Sequence, residues 1–337
     1  MDFNHTEERR MLADSLRRSL ERGADWAALA ELGVLGALFT EDEGGFGGHG
    51  FDIAVVFEEL GRAGSTEPVL EAGLAGGLLA DAGRADLVEE IIGGGLKVTL
   101  AHFEPGLRYD SGPITTSANE GHLSGRKSFV TQAEGSDRLL VSALKDGEVA
   151  LFLVDTAAEG VTLHTTPALM GGTISEVTLD RVAGEAVGNA HTLQQRLAAA
   201  TLAVCADALG AMDVARDMTL DYLRTRKQFG VPIGKFQALQ HRMADVAIEI
   251  EMARSAVINA AGHLDAAGPT RDRHISAAKN LLGRTARLVA EEAVQMHGGI
   301  AMTEEYALAP VTRRLIAVDH RFGDEDWHLA RFMRLEM

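Results

Sequence analysis

The hydrophobic period changes twice along this chain, and that alternation restricts the fold more than any other feature. Residues 1–95 carry apolar side chains at helical spacing; Leu12, Leu16 and Leu20 lie four apart on one stripe. Thr6, with Glu7 and Glu8 after it, fits a helix start, and further helices are expected at Trp26–Leu32 and near 52–62, 66–81 and 84–92. Residues 96–188 break into short runs rich in Val, Thr and Leu, namely KVTLAHF, GPITTSA, GHLSGRKSFVT, DRLLVSAL, EVALFLVD, GVTLHTT and SEVTLDRV, parted by Gly, Asp, Asn and Ser. Strands of an antiparallel sheet have this length and spacing. Residues 189–337 return to helix, with long stretches near 192–225, 237–263 and 276–297 and a shorter one from Asp324 or Glu325. Met243, Val246, Ile250, Ala253 and Val257 form one stripe; Ala278, Leu281, Leu282, Thr285, Leu288 and Glu292 mark the next helix, which stops at Gly298-Gly299. The expectation is an α+β fold with an N-terminal helical domain (1–95), a middle antiparallel β domain (96–188) and a C-terminal four-helix bundle (189–337).

Composition narrows the function classes. A formal charge of −17 argues against nucleic acid and anionic membranes as partners, while leaving room for an anionic ligand at a local basic cluster. The single cysteine, Cys205, excludes an intrachain disulfide and a multi-cysteine metal site, and its apolar surroundings read as core. No metal site is expected. The start MDFNHTEERRML does not read as a signal peptide, and no apolar run reads as long enough to span a bilayer, so the expected location is the cytoplasm. The Gly-rich stretch EDEGGFGGHGFD (41–52) reads as a flexible connection; no strand precedes it and its spacing is not that of a dinucleotide fingerprint.

The segment with most chemistry is RTRKQFGVPIGKFQALQHRMADV, 224–246. A helix is expected to end at Phe229-Gly230, Pro232 and Gly234 to turn the chain, and a second long helix to begin near Gln237. The hinge collects Arg224, Arg226, Lys227, Phe229, Gln228 and Gln237, a set suited to a flat ring with phosphates. Taken alone, the segment is better described as a helix end capped by solvated bases.

The helical–β–helical order, RKQFGVPIGKFQALQHRMADV and the later QMHGGIAMTEEY together resemble the acyl-CoA dehydrogenase family over essentially the whole chain. The resemblance implies FAD held between the β domain and the bundle, pairing into dimers and tetramers, and two-electron oxidation of an acyl-CoA to the 2-enoyl-CoA. In that reaction a carboxylate takes the α proton, and electrons leave to an electron-transfer flavoprotein. Residue by residue, Arg226 matches the arginine that reaches the FAD pyrophosphate of a neighbouring subunit, Phe229 the aromatic beside the adenosine half, and Gln237 a glutamine on the same cofactor. Gln295, Gly298 and Gly299 match the segment approaching the diphosphate. In GRKSFVTQA, Thr131 aligns with the threonine at the flavin N5/O4 edge, and Phe129 stands where a tryptophan is usual. The loop HFEPGLRYDSG keeps Glu104-Pro105 of the family's Thr-Glu-Pro pattern but shortens the segment after it, which in the family contacts flavin and acyl-CoA.

The resemblance fails at the catalytic base. An ungapped count from QMHGG puts Phe322 at the usual glutamate, with Gly323 keeping the adjoining glycine; the second family position for the base, on the first bundle helix, falls on Ala200. Three readings are open. Asp324, or Glu325 or Asp326, could serve as a relocated base, against the competing role of capping the last helix. Glu304 and Glu305 read as surface ion-pair residues. Alternatively the chain is one subunit of a heterotetramer whose homologous acyl-CoA dehydrogenase partner supplies the glutamate, as in enzymes of steroid side-chain catabolism. In the third reading it is a non-catalytic paralogue that completes the oligomer.

Overall fold

The computed structural model describes residues 6–107, 109 and 114–335. Ten α-helices and ten strands appear among them. Helices α1 (Glu7–Leu20), α2 (Trp26–Glu31), α3 (Gly50–Ala63), α4 (Val69–Asp81) and α5 (Ala85–Ile92) precede the strands β1 (Val98–Ala101), β2 (Ser117–Asn119), β3 (His122–Thr131), β4 (Arg138–Lys145), β5 (Glu148–Asp155), β6 (Val161–Pro167), β7 (Thr173–Ala183) and β8 (Glu185–Asn189). Then come α6 (Leu193–Thr225), a hairpin of β9 (Lys227–Gln228) and β10 (Val231–Pro232), and α7 (Gln237–Gly262), α8 (Gly268–His297), α9 (Leu308–Val318) and α10 (Glu325–Leu335). The chain forms two compact units, one of residues 23–49 and 66–200, the other of 1–22, 50–65 and 201–337.

In the first unit the strands make one sheet in the order β6-β7-β3-β2-β4-β5-β8, with β1 also on β4. The sheet is mixed, not wholly antiparallel: β1 and β2 both run parallel to β4, which the long connections between them permit. Strand β8 escapes the sequence pattern because EAVGN is short, half polar and on the sheet edge, paired only with β5. Inward residues of the alternating runs, including Leu123, Leu139, Val141, Phe152, Val177 and Leu179, form its core. The glycine stretch at 44–48 is no flexible connection. A Cβ on Gly45 would lie 2.3 Å from the carbonyl oxygens of Gly36 and Phe39, so this turn is packed against the backbone that precedes it.

A buried ion pair closes the loop after β1. Glu104 accepts from Lys127 Nζ at 2.8 Å, from Thr115 N and Oγ1 at 2.7 and 2.6 Å and from Thr116 N at 3.0 Å. Lys127 is fully buried and also donates to His102 O and Ser142 Oγ, each at 3.2 Å. Burial raises the Glu104 carboxyl, but the hydrogen bonds from Lys127 and the two threonines outweigh it and bring it down to about 2. Of the family-like loop, Arg108, Asp110, Ser111 and Gly112 lie outside the described residues, as do Gly112 and Pro113 of the expected GPITTSA strand. A carboxyl depressed from about 4.3 in the unfolded chain contributes stability that is fully present above that value and is lost as pH falls from about 4 towards 2. Urea midpoints across this window should therefore fall for the native chain and stay flatter for Glu104→Gln. That variant leaves the buried Lys127 without its counter-charge and should lose about 3–5 kcal/mol at neutral pH.

The second unit is built on α6, α7 and α8. The predicted stripe on α7 is buried throughout. On α8 the inward face runs through Ile275, Ala278, Leu282, Ala286, Val289 and Ala293; of the residues that mark this helix in the sequence, Ala278, Leu282 and Thr285 are buried and Leu288 is exposed. Helix α8 also starts earlier than expected, with Pro269 in its first turn, and α9 is an element the sequence reading omits. Cys205 is buried, and burial pushes its thiol up to about 12, so it packs as an inert core side chain. One expectation needs correction: α6 does hold an 18-residue window long and apolar enough to cross a membrane. That window is 83% buried within the protein, which is where a core helix puts the same composition.

Candidate functional site

An aromatic stack brings two of the nominated segments to one end of the helical unit. Tyr222, near the C-terminus of α6, stacks on His297 at the C-terminus of α8 (4.4 Å between ring centroids), and Tyr306 meets His297 edge-on at 5.4 Å. His297 Nδ1 donates to Ala293 O at 2.8 Å. Its Nε2 is buried with no partner, and burial lowers its tendency to protonate. Arg226 lies one turn beyond Tyr222, its N–H on Tyr222 O at 2.8 Å, and Gly298 comes directly after His297. The side chains of Arg226, Gln237 and Gln295 are all exposed, and Arg226 forms no ion pair with a described residue. Gly298 adopts φ 70°, ψ −151°, a region open essentially to glycine alone, and no atom stands within 4 Å of where a Cβ on Gly298 or Gly299 would be. Arg226 thus offers a cationic fork, and Gly298-Gly299 bare backbone, to which a phosphate-bearing ligand could come close.

The hinge is a hairpin, not a helix end running to Phe229. Helix α6 stops at Thr225; Gln228 pairs with Val231 and Lys227 with Pro232. The two-residue loop Phe229-Gly230 has φ of +53° and +81°, both left-handed, as a type I′ turn requires. Asn-Gly fills such a turn without strain, and phenylalanine does so at about 1–2 kcal/mol. Yet Phe229 is 91% exposed, and its ring meets Phe236 edge-on at 6.1 Å. Phe229→Asn should leave the unfolding midpoint unchanged or raise stability by up to about 1 kcal/mol, because relief of strain offsets the lost edge contact. The same variant should bind FAD more weakly in the assembled protein; a loss of stability above about 1 kcal/mol would make the ring structural instead.

In the sheet unit, Phe129 repeats this pattern. It lies at φ +55° in the bulge where β3–β7 pairing slips between Lys127 and Val130, and its ring is 66% exposed. Thr131, two residues on, donates its hydroxyl to Glu71 Oε1 on α4 at 2.6 Å, and its carbonyl accepts from Thr99 Oγ1 at 2.8 Å. Glu71 is absent from the sequence-based candidates, although a lone carboxylate in the apolar run VLEAGLAGGLLA is a usable signal.

The position of the family's base is a turn held from beneath. Phe322 adopts φ +54°, and its carbonyl accepts from His328 Nε2 at 3.1 Å. The buried Lys279 of α8 donates to Gly323 O at 2.5 Å and to Asp319 O at 3.2 Å. Burial, assisted by Lys279, pushes His328 down to about 3, which keeps it neutral at physiological pH. Asp324 is buried, and its Oδ1 accepts from Trp327 N at 2.8 Å, the cap of α10. Ala200 is buried in α6, and Glu304 pairs with Arg313 at 2.7 Å on the surface. Lys279 precedes His297 by eighteen residues of α8, roughly 27 Å at the helical rise, so Phe322 and Asp324 lie far from the Arg226 and Gly298 group.

Comparison with known proteins bears on these features directly. Residues 6–94 match the profile of the acyl-CoA dehydrogenase N-terminal domain, and residues 190–334 that of the acyl-CoA dehydrogenase C-terminal domain. Acyl-CoA dehydrogenase FadE28 of Mycobacterium tuberculosis is 32% identical over 345 residues, covering 95% of this chain and 97% of that protein. The chain belongs to the acyl-CoA dehydrogenase family. It is thus a flavin-dependent oxidoreductase of the acyl-CoA dehydrogenase fold, with FAD as its cofactor. Among solved structures, the ChsE4–ChsE5 complex from Mycobacterium tuberculosis superposes with a TM-score of 0.88 at 26% identity, covering 99% of this chain and 98% of that one. A variant of the Tcur3481–Tcur3483 steroid ACAD gives 0.88 at 29% identity, with 98% of each chain covered. The residues present suit FAD on three counts: an arginine fork with no described ion-pair partner, an unobstructed Gly298-Gly299 backbone, and two strained aromatics held outward, Phe129 and Phe229.

Proposed function

We propose that this chain takes part in the FAD-dependent α,β-dehydrogenation of an acyl-CoA as one subunit of a heteromeric assembly whose homologous partner contributes the base. The observation that carries this reading is the turn at Phe322. A base must accept a proton at hydrogen-bond distance from the α carbon. Phe322 has no group to do so, and Asp324, the nearest carboxylate along the chain, is occupied in capping α10. That capping role argues against the homomeric alternative with a relocated base.

FAD, when bound, supplies the hydride acceptor and passes the electrons on, by our reading to an electron-transfer flavoprotein. The chain's own residues bind and orient it. Arg226 offers a planar fork of N–H donors to the diphosphate; Gln237 and Gln295 add side-chain amides, and Gly298-Gly299 adds approachable backbone. Phe229 offers its ring to the adenosine half, Phe129 its ring to the flavin, and Thr131 its hydroxyl to the flavin edge. Arg226 and Phe229 project outward from their own unit, which supports contact with a cofactor held largely by a neighbouring subunit. Exposed apolar side chains on the bundle helices, Ile248 and Met252 on α7, Ile316 on α9 and Leu329 and Met333 on α10, support burial in an oligomer. A bulky steroid side-chain thioester is the proposed substrate class, by likeness to the steroid enzyme above, and the cytoplasm the proposed location.

The test is co-purification. Expressed alone, the chain should carry little flavin absorbance. Expressed with a longer homologue that keeps the glutamate, it should elute as a complex of unlike subunits with flavin bound. A flavin-saturated homotetramer obtained from the chain alone would refute the heteromer.

A further inference from the structure

The hydroxyl of Thr131 has one proton, and that proton is committed. It is donated to Glu71 Oε1 at 2.6 Å, the short distance expected when a hydroxyl meets a carboxylate. Glu71 is itself buried on α4, between Leu70 and Ala72. Thr131 is fixed at both ends of the residue: its backbone lies opposite Ile174 in the β3–β7 ladder, and its carbonyl accepts from Thr99. Towards any ligand the hydroxyl therefore presents lone pairs only, and acts as an acceptor.

The consequence depends on the redox state of the ring it faces. At the N5/O4 edge an oxidised flavin offers two acceptors, so an acceptor-only hydroxyl finds no hydrogen there. Were FAD bound there, its two-electron reduction with a proton at N5 would make that atom an N–H donor, from which the hydroxyl could accept. We infer that Glu71 is a positioning residue that holds Thr131 as a hydrogen-bond acceptor at the flavin edge, so that the site binds the reduced ring more tightly than the oxidised one. The inference rests on the proposed contact between Thr131 and the flavin; Glu71 itself touches no reacting atom.

The measurement is the midpoint potential of FAD in the assembled protein, together with its FAD dissociation constant. Thr131→Val should lower the preference for reduced over oxidised FAD about tenfold, which for a two-electron couple is about 30 mV towards lower potential. Thr131→Ser, which keeps the donor to Glu71, should stay near the parent value. Replacing Glu71 would also change the surroundings of the ring, so the two residues are tested as a cycle. In a Glu71→Met background the hydroxyl is free to turn and donate to the oxidised ring, and Thr131→Val should then leave the potential unchanged or raise it. A rise on Thr131→Val in the parent, or an equal fall in both backgrounds, overturns the inference. Should Glu71→Met fail to fold, the sign of the Thr131→Val shift still decides. If Thr131→Val alters neither the potential nor the FAD affinity, the contact between Thr131 and flavin is itself wrong and the inference falls with it. A purely structural Thr131 would change the unfolding midpoint and not the potential.

Discussion

Arg226→Ala lowers the affinity of the assembled protein for FAD by about 10- to 100-fold and leaves the stability of the chain within about 0.5 kcal/mol of the parent. Both halves of this expectation come from one fact: the guanidinium is exposed at the start of the β9–β10 hairpin and pairs with no described carboxylate. Nothing in the described fold depends on it, so its removal leaves no buried charge behind. By the proposed reading, what it loses is a charge-assisted hydrogen bond to phosphate oxygen, the stronger class of such bonds. Arg226→Lys should recover only part of the affinity, because an ammonium keeps the charge and loses the planar fork. Titration of flavin fluorescence beside a urea melt reads both quantities. A large fall in stability with unchanged FAD binding would assign Arg226 to the fold.

The second large effect concerns turnover. With FAD supplied, the chain by itself should oxidise acyl-CoA about 10²- to 10⁴-fold more slowly than the assembled enzyme, the range that a positioned general base contributes. Asp324→Asn in the assembly should change that rate less than about twofold. It should also keep α10 capped, since an asparagine oxygen accepts from Trp327 N as the aspartate oxygen does. A loss of two orders of magnitude in Asp324→Asn would make Asp324 the base and remove the need for a partner.

The architecture is legible because period-2 and period-3.6 patterns are strong in this chain: most strand runs and the stripe on α7 need no tertiary information to be read. The misses have particular causes. Strand β8 is too short and polar to show a period. Lys279, a residue type normally outside, is buried on α8, where it supplies donors to the turn at 319–323, and no period in the sequence marks it as inward. Gly45 looks flexible because a sequence does not display how near Gly36 and Phe39 come to it.

The site is legible at the level of motif, not of conformation. Phe129, Phe229 and Phe322 each stand out by position, and nothing in a phenylalanine announces a left-handed backbone, which it disfavours. That three of the seven described non-glycine residues with positive φ fall at these positions is a structural finding, and strain of this kind gathers where function requires it. The Glu71–Thr131 bond spans sixty residues and could come only from the fold.

The most direct test of a shared active site is exchange of the α proton. An acyl-CoA is incubated in D2O with the FAD-supplemented chain alone, with the complex formed with a glutamate-bearing homologue, and with that complex after the homologue's catalytic glutamate is changed to glutamine. Deuterium at the α carbon is tracked by NMR. Exchange by the intact complex alone is the predicted result. Exchange by the chain alone at the rate of the complex, or exchange that survives the glutamine substitution, would contradict it.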